Sequence, residues 1–247
     1  MLELVTYIDS GMAFMPPLLR IAVWATLTAV FSMFLYKIIS PQKKLAGIKE
    51  QQKAARAQLM AYDGEFEGLL GLIMKDLGLA MKIIGVALGP VLLSIVPVLA
   101  IMFCLYVIYG YRLPEPGAPT LIQIQPEEAQ PVWSGQPQLE PTELGWILHW
   151  PKADAPVTIT DTHGQLVVSL PPPAAIPEIS KPSWLTALFP NPAGEITESS
   201  AIDAVLMDMP TPHYTAFGPD WMRGFAFWYF SILLAISLFI KFRFRII

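Results

Sequence analysis

The chain has 247 residues, of which 54% are hydrophobic and 15% are charged. This balance is typical of membrane proteins and argues against a soluble enzyme. The single cysteine, Cys104, excludes a disulfide framework or a cysteine-ligated metal site within one chain. The net charge of −4 is distributed unevenly along the chain, so the charges carry information about topology.

Residues 1–14 are predicted to form a short helix at the outer membrane face. Its apolar side chains are expected to face lipid: Leu2, Leu4, Val5 and Ile8. Residues 15–37 form the first predicted transmembrane span. A cleaved signal peptide is the alternative, but the residues ahead of the span include the acids Glu3 and Asp9, and the apolar core is too long.

One face of the first span is polar. Its side chains recur every four residues, which places them on one side of a helix: Arg20, Trp24, Thr28 and Ser32. Two interpretations of Arg20 remain open. It could anchor the helix by snorkelling to the headgroups, or it could line a water-filled groove together with Thr28 and Ser32. Hydroxyls alone decide little, because they can bond their own helix backbone.

A cytoplasmic helical hairpin and an amphipathic helix are predicted over residues 41–82. Spacings of three and four alternate in the first part and indicate a heptad seam: Leu45, Ile48, Gln52, Ala55, Leu59, Tyr62 and Phe66. We expect a bend near Asp63 and Gly64. The segment from Leu69 to Met81 should lie along the membrane surface before the chain turns into the bilayer. An ordinary solvated helix is the alternative for the seam.

Residues 83–109 form the second predicted span, since they contain no charged residue and about 20 apolar residues suffice to cross a bilayer. Helix breaks or close-packing points are expected at four positions in it: Gly85, Gly89, Pro90 and Pro97. Residues 222–241 form the third predicted span, and residues 242–247 form a tail.

The segment from 111 to 220 contains 13 of the 20 acidic residues and 19 of the 24 prolines, so long helices are excluded from most of it. Four strands are predicted: Leu121 to Gln125, Gly145 to Trp150, Val157 to Thr160 and Gln165 to Leu170. The last two should form a hairpin through Asp161, His163 and Gly164. We expect a small β-rich domain over about residues 120–172, then an extended linker and one helix around Ser199 to Met207.

The charges predict the topology. The linker between the first two spans and the C-terminal end are basic, whereas the segment 111–220 is acidic. By the positive-inside rule the linker and the tail are cytoplasmic, and the N-terminus and the acidic segment are outside. Asn191 is followed by proline, so the outer segment lacks a glycosylation motif there. We therefore expect a multi-pass protein of a bacterial inner membrane.

The sequence offers no enzyme chemistry. The three histidines, His149, His163 and His213, lack metal-ligand spacing and are expected on the surface or in turns. There is no nucleophile motif, no phosphate-binding glycine loop and no basic aromatic stripe for DNA. Basic residues of the hairpin could touch ribosomal RNA or anionic lipid, although a positive-inside flank explains them. No cofactor is expected.

Two stretches resemble the YidC/Oxa insertase superfamily. The run GPVLLSIVPVLAIMFCLY, from Gly89 to Tyr106, is similar to its second core span. The run DWMRGFAFWYFSILLAISLFIKFRF, from Asp220 to Phe244, is similar to the third span of the archaeal members and of the insertase subunit of the endoplasmic reticulum membrane complex. The order of the parts agrees, but about 110 residues separate the second and third spans, where family members usually have a short loop.

The resemblance implies a membrane protein insertase or chaperone that works without an energy source. A polar groove open to cytoplasm and lipid would lower the cost of moving a client's hydrophilic flank. Arg20 would attract acidic flanks, Thr28 and Ser32 would hydrate the groove, and the hairpin would receive client, ribosome or an accessory subunit. Two alternatives remain: a membrane-anchored scaffold subunit whose outer domain binds an envelope partner, and an ion channel or transporter, which the scarcity of charges in the spans disfavours.

Overall fold

The computed structural model describes residues 1–135, 137–244 and 246, and divides the chain into two compact units. Residues 12–102 and 228–247 form a helical unit, and residues 1–11 and 103–227 form a β unit. Three of the helices are long and apolar enough to cross a membrane: Pro17–Ile39, Phe66–Tyr109 and Phe225–Arg243. The seven helices found in the described residues are α1 Leu2–Gly11, α2 Pro17–Ile39, α3 Gln42–Met60, α4 Phe66–Tyr109, α5 Trp184–Leu188, α6 Asp220–Arg223 and α7 Phe225–Arg243.

In the helical unit, α3 and the start of α4 form a hairpin whose bend falls where the sequence predicts it, between residues 60 and 66. The Arg56 guanidinium spans the two arms, its Nε lying 3.1 Å from a carboxylate oxygen of Asp76. The predicted seam is the buried side of α3, because Leu45, Ile48 and Ala55 are each less than 5% exposed. The end of the seam differs, since Phe66 is 74% exposed.

The prediction of a separate surface helix before the second span is wrong. α4 runs as one helix of 44 residues from Phe66 to Tyr109, about 66 Å at 1.5 Å per residue. Pro90 and Pro97 both lie inside this helix and do not end it. The prediction of close packing at Gly85 and Gly89 is also wrong, because a Cβ at either position would have no neighbour within 4 Å.

The β unit contains two antiparallel sheets. The five-stranded sheet has the order β3-β4-β1-β8-β7, and the three-stranded sheet has the order β2-β5-β6. The strands are β1 Pro119–Gln125, β2 Val132–Ser134, β3 Leu139–Thr142, β4 Gly145–His149, β5 Val157–Thr160, β6 Leu166–Leu170, β7 Glu178–Ser180 and β8 Ala204–Met207. Both sheets contribute to one apolar core, with Ile122 and Val205 from the first and Ile159 and Leu170 from the second all fully buried.

The four predicted strands are present, and β5 and β6 form the predicted hairpin. A carboxylate oxygen of Asp161 accepts hydrogen bonds from the backbone N–H groups of His163 and Gln165, each at 2.9 Å. Gly164 has a φ of 77°, a left-handed conformation that glycine adopts without steric cost. This turn therefore uses the residues that the sequence singles out.

The predicted helix around Ser199 to Met207 is wrong. Residues 204–207 form β8, an inner strand paired with β1 on one side and β7 on the other. Ala204, Val205 and Met207 are buried in the core. Alanine, leucine and methionine have high intrinsic helix propensities, but the differences are worth only a few tenths of a kcal/mol per residue. Pairing with two neighbouring strands outweighs them.

The helix α1 is present, but it does not present all its apolar residues outward. Val5 is 3% exposed and Asp9 is 4% exposed, whereas Leu4 and Ile8 lie on the surface. The Tyr109 hydroxyl at the end of α4 donates a hydrogen bond to the Asp9 carboxylate. The expectation that Val5 faces lipid is therefore wrong, and this side of α1 packs within the β unit.

The chain after β8 returns to the end of α4 and packs there. Arg112 donates its backbone N–H to the carbonyl of Pro210 at 3.0 Å, and the Tyr214 hydroxyl donates to the carbonyl of Tyr109 at 2.8 Å. The Tyr106 and Phe225 ring centroids are 6.4 Å apart. The end of α4 and the start of α7 are thus neighbours within the β unit.

Candidate functional site

The four side chains predicted to line a groove on α2 differ in their exposure and hydrogen bonds. Trp24 and Thr28 are buried, at 5% and 4% exposure. The Thr28 hydroxyl donates to the carbonyl of Trp24 at 2.7 Å, and the Ser32 hydroxyl donates to the carbonyl of Ser94 in α4, also at 2.7 Å. The Thr28 hydroxyl thus bonds its own helix, the Ser32 hydroxyl joins α2 to α4, and Arg20 is half-buried.

An open cavity of about 310 Å³ lies elsewhere in the helical unit. It is within the range of sizes that ligand pockets have. The four helices α2, α3, α4 and α7 all contribute to its wall. The lining residues are Met33 and Tyr36 from α2, Leu45 and Lys49 from α3, Ile83, Ala87, Val91 and Ser94 from α4, Lys241 from α7, and Ile246. We call it the basic-end cavity, because two lysines line it, Lys49 of α3 and Lys241 near the end of α7.

Helix periodicity explains why these residues meet. On α4 the lining residues are spaced by four, four and three positions, so they lie on one face of the helix. Ser32 of α2 contacts Ser94 and Arg56 of α3 contacts Asp76, so α2 and α3 pack along successive parts of α4. Leu45 and Lys49 are about one turn apart on α3.

The electrostatics of the basic-end cavity are one-sided. Lys49 and Lys241 are exposed at its rim, and none of the described lining residues is acidic. Lys37 and Arg243 lie nearby in the sequence and each approaches the Phe244 ring, at 5.7 and 5.9 Å from its centroid. Such cation-aromatic contacts hold basic groups in place without neutralising them. The cavity thus combines an apolar floor with an unneutralised positive rim.

Ser94 connects the cavity to the predicted polar face of α2. It lines the cavity, its hydroxyl donates to the carbonyl of Val91 at 2.8 Å, and its own carbonyl accepts from Ser32. Pro97 has no N–H to donate to the carbonyl of Leu93, so the backbone near Ser94 is less fully bonded than a regular helix. Of the predicted residues, Ser32 comes nearest to the cavity, one hydrogen bond away.

The arrangement can hold an apolar segment that carries an anionic group. Val91, Ile83 and Met33 offer apolar contact, and the lysines offer attraction to a carboxylate or phosphate at the mouth. This cavity was not predicted from the sequence, because that prediction considered only the polar residues of a single span. The spacing of Ile83, Ala87 and Val91 and the two flanking lysines were signals that it did not combine.

The described residues contain no group of three or more His, Cys, Asp or Glu side chains that could hold a metal ion. His149 lies on strand β4, with Nδ1 3.2 Å from the carbonyl of Gly117, and His163 lies in the β5–β6 turn. His213 is exposed. His163 and His213 thus occupy the turn and surface positions expected of them, whereas His149 is half-buried in a strand.

Comparisons with protein-family models, with curated proteins and with solved structures find no match to this chain.

Proposed function

We propose that this protein is a membrane protein insertase or membrane chaperone that receives client helices at the basic-end cavity. The observation that carries the proposal is the cavity itself, an apolar pocket within the helical unit with Lys49 and Lys241 at its mouth. The family resemblance of Gly89 to Tyr106 and Asp220 to Phe244 agrees with this function. The proposed entry site differs from the one that the resemblance implies.

A cavity of this kind lowers the cost of the first step of insertion. A polar group that enters hydrocarbon unpaired costs several kcal/mol. A client helix that begins to enter beside Val91 and Ile83 would exchange water for apolar contact, while its acidic flank stays near the lysines. Attraction between opposite charges also raises the rate of encounter. No cofactor or nucleotide is needed for such a step.

The topology proposed with this function places the cavity on the cytoplasmic side of a bacterial inner membrane. The basic residues of the α2–α3 connection, of α3 and of the end of α7 would then be inside, and the N-terminus and the β unit would be outside. The α3–α4 hairpin would project into the cytoplasm, where clients, the ribosome or an accessory subunit could reach it.

The test is depletion of the protein, followed by rescue with variants and measurement of which membrane proteins fail to insert. The charge reversals K49E and K241E together should reduce insertion of clients with acidic flanks by about tenfold, the change that about 1.4 kcal/mol produces. Lys53→Glu is the matched control, since Lys53 is exposed on α3 but does not line the cavity. Equal insertion with the double variant and the wild type would contradict the proposal.

One observation favours a second function, that of a scaffold subunit whose outer domain binds an envelope partner. The β unit has an apolar core of its own from both sheets, more structure than a connection between two spans requires. Crosslinking from exposed positions such as Leu144 and Leu166 would identify such a partner. A partner found there, with normal insertion in depleted cells, would favour the scaffold over the insertase.

A further inference from the structure

A second cavity lies entirely within the β unit, where the last two turns of α4 meet the segment from β7 to Asn191. Its volume is about 400 Å³, and its wall includes Phe103, Tyr106 and Val107 of α4 and Ser183, Thr186 and Phe189 of the facing segment. We propose that this cavity binds one phospholipid with an ammonium-bearing headgroup, and that residues 182–190 enter the bilayer beside it. This proposal is independent of client insertion.

The position of Phe103 along α4 sets the depth of the cavity. Residues 83–109 are helical and uncharged, and span about 40 Å at 1.5 Å per residue. The hydrocarbon core of a bilayer is about 30 Å thick. When this core is centred on residues 83–109, its outer boundary lies near Tyr106. Phe103 then lies about one turn inside the hydrocarbon. Phe189 packs against Phe103, with ring centroids 4.7 Å apart, so the segment that carries Phe189 reaches the same depth.

The segment itself has the composition of an interfacial insertion. Residues 182–194 contain no charged side chain, whereas Lys181, just before them, is paired with Asp203 at 2.7 Å. Trp184 is 74% exposed, although tryptophan is strongly apolar. Exposed tryptophans are typical of the headgroup region of a membrane, and Trp184 lies in the same segment as Phe189, which contacts Phe103. The bilayer is therefore the partner that covers this surface.

The segment is held in a fixed shape before any lipid binds. The Ser183 hydroxyl accepts from the N–H of Thr186 at 3.3 Å, and the Thr186 hydroxyl accepts from the N–H of Ser183 at 2.8 Å, a reciprocal cap at the start of α5. The Asn191 amide donates to the carbonyl of Glu178 at 2.9 Å and so ties the end of the segment to β7. A preorganised site loses less entropy on binding.

The wall of the cavity is amphipathic in the way a phospholipid is. The apolar groups come from α4 and the end of the segment, namely Phe103, Val107 and Phe189. The polar groups come from β7 and the start of the segment, and include the hydroxyl of Ser183, which can donate to a phosphate. The Thr186 hydroxyl donates to the carbonyl of Ser183 at 3.1 Å. Glu178 is the one charged group among the described lining residues, so it disfavours an anionic headgroup and attracts an ammonium.

The depth is tested with the full-length chain in lipid vesicles, on a Cys104→Ala background that removes the native thiol. An environment-sensitive fluorophore on Trp184→Cys should show blue-shifted emission and be quenched several-fold by lipids that carry a nitroxide on the upper acyl chain. Leu144→Cys is the matched control, because Leu144 is 70% exposed but lies in the β3–β4 turn. Equal, weak quenching at both positions would overturn the insertion of the segment.

The lipid is tested by extracting the protein in mild detergent from membranes that contain phosphatidylethanolamine and phosphatidylglycerol. We expect about one phosphatidylethanolamine retained per wild-type chain, and a severalfold shift toward phosphatidylglycerol for Glu178→Lys. Glu198→Lys, an exposed charge reversal away from the cavity, should retain the wild-type lipid. Retention in membrane proportions by the wild type, or the same lipid in Glu178→Lys as in the wild type, would overturn the proposed site.

Discussion

The helical unit and the β unit differ in the surface that they present, because the long helices expose many large apolar side chains and the β unit exposes few. On α2, Thr28 is 4% exposed, whereas Phe31 is 56% exposed. In the β unit Ile122 and Ile159 are fully buried, and charged residues such as Glu143 lie on the surface. The contrast shows that the two units are adapted to different surroundings, since an exposed apolar helix face is stable against hydrocarbon and a buried apolar core is stable in water.

The largest expected effect comes from truncating an apolar side chain in the β unit. Ile159→Ala should lower the free energy of unfolding by about 2–5 kcal/mol, because it removes apolar contacts and leaves a cavity in a close-packed core. Phe31→Ala should cost less than about 1 kcal/mol, because this side chain of α2 is already 56% exposed. Chemical denaturation in detergent measures both. A Phe31→Ala cost as large as that of Ile159→Ala would break the contrast between the two units.

A smaller effect is expected from Asp161, a buried charge in the β unit. Burial alone would raise the pKa of its carboxyl, but hydrogen bonds from Gln165, His163 and Ala201 and from the Ser200 hydroxyl outweigh burial and lower the pKa. A carboxyl whose folded-state pKa is lowered stabilises the fold above its unfolded pKa of about 3.9, and this stabilisation is lost as the pH falls through the folded pKa. It is thus fully present at neutral pH.

Asp161→Asn should therefore lower Tm at pH 7 and bring the Tm of the variant closer to that of the wild type in acid. Asp154→Asn is the control, since Asp154 is exposed in a neighbouring loop. Melting curves from pH 7 down to about pH 3, followed by circular dichroism in the β-sheet region, measure the difference. A difference in Tm that does not shrink toward acid would show that the charge of Asp161 is not what stabilises the turn.

The smallest effect concerns the polar contact between α2 and α4. Ser32→Ala removes the hydrogen bond to the carbonyl of Ser94 and should cost about 0.6 kcal/mol, a typical value for such bonds between membrane helices. Thr26→Ala is the matched control, because the Thr26 hydroxyl bonds only its own helix, at the carbonyl of Ala22. Equal costs for the two variants would mean that the contact between the helices adds nothing beyond what a hydroxyl does for its own helix.

Local patterns in the sequence were sufficient for several elements. The three long apolar segments, the bend between α3 and α4, and the β5–β6 hairpin depend on residues close in the chain, so periodicity and turn chemistry predict them. β8 was missed because its strand conformation depends on β1 and β7, which are distant in sequence. The continuity of α4 was missed because its glycines and prolines suggested breaks that the helix tolerates.

The candidate site shows the same division. The sequence placed Arg20, Trp24, Thr28 and Ser32 on one helix face, which follows from a spacing of four residues. It could not say what that face meets, and the structure pairs Ser32 with α4. The basic-end cavity depends on residues from α2, α3, α4 and α7, which no local pattern relates to one another.

The sequence by itself determined which segments are long and apolar enough to cross a membrane, where the charges cluster and which turns close the β5–β6 hairpin, because each depends on neighbours within a few residues. Only the tertiary structure decided which polar side chains are engaged in packing, where space is left between the helices and that Phe189 packs against Phe103. Those features depend on contacts between residues far apart in the chain, and side-chain volumes set them only after the helices and sheets have packed.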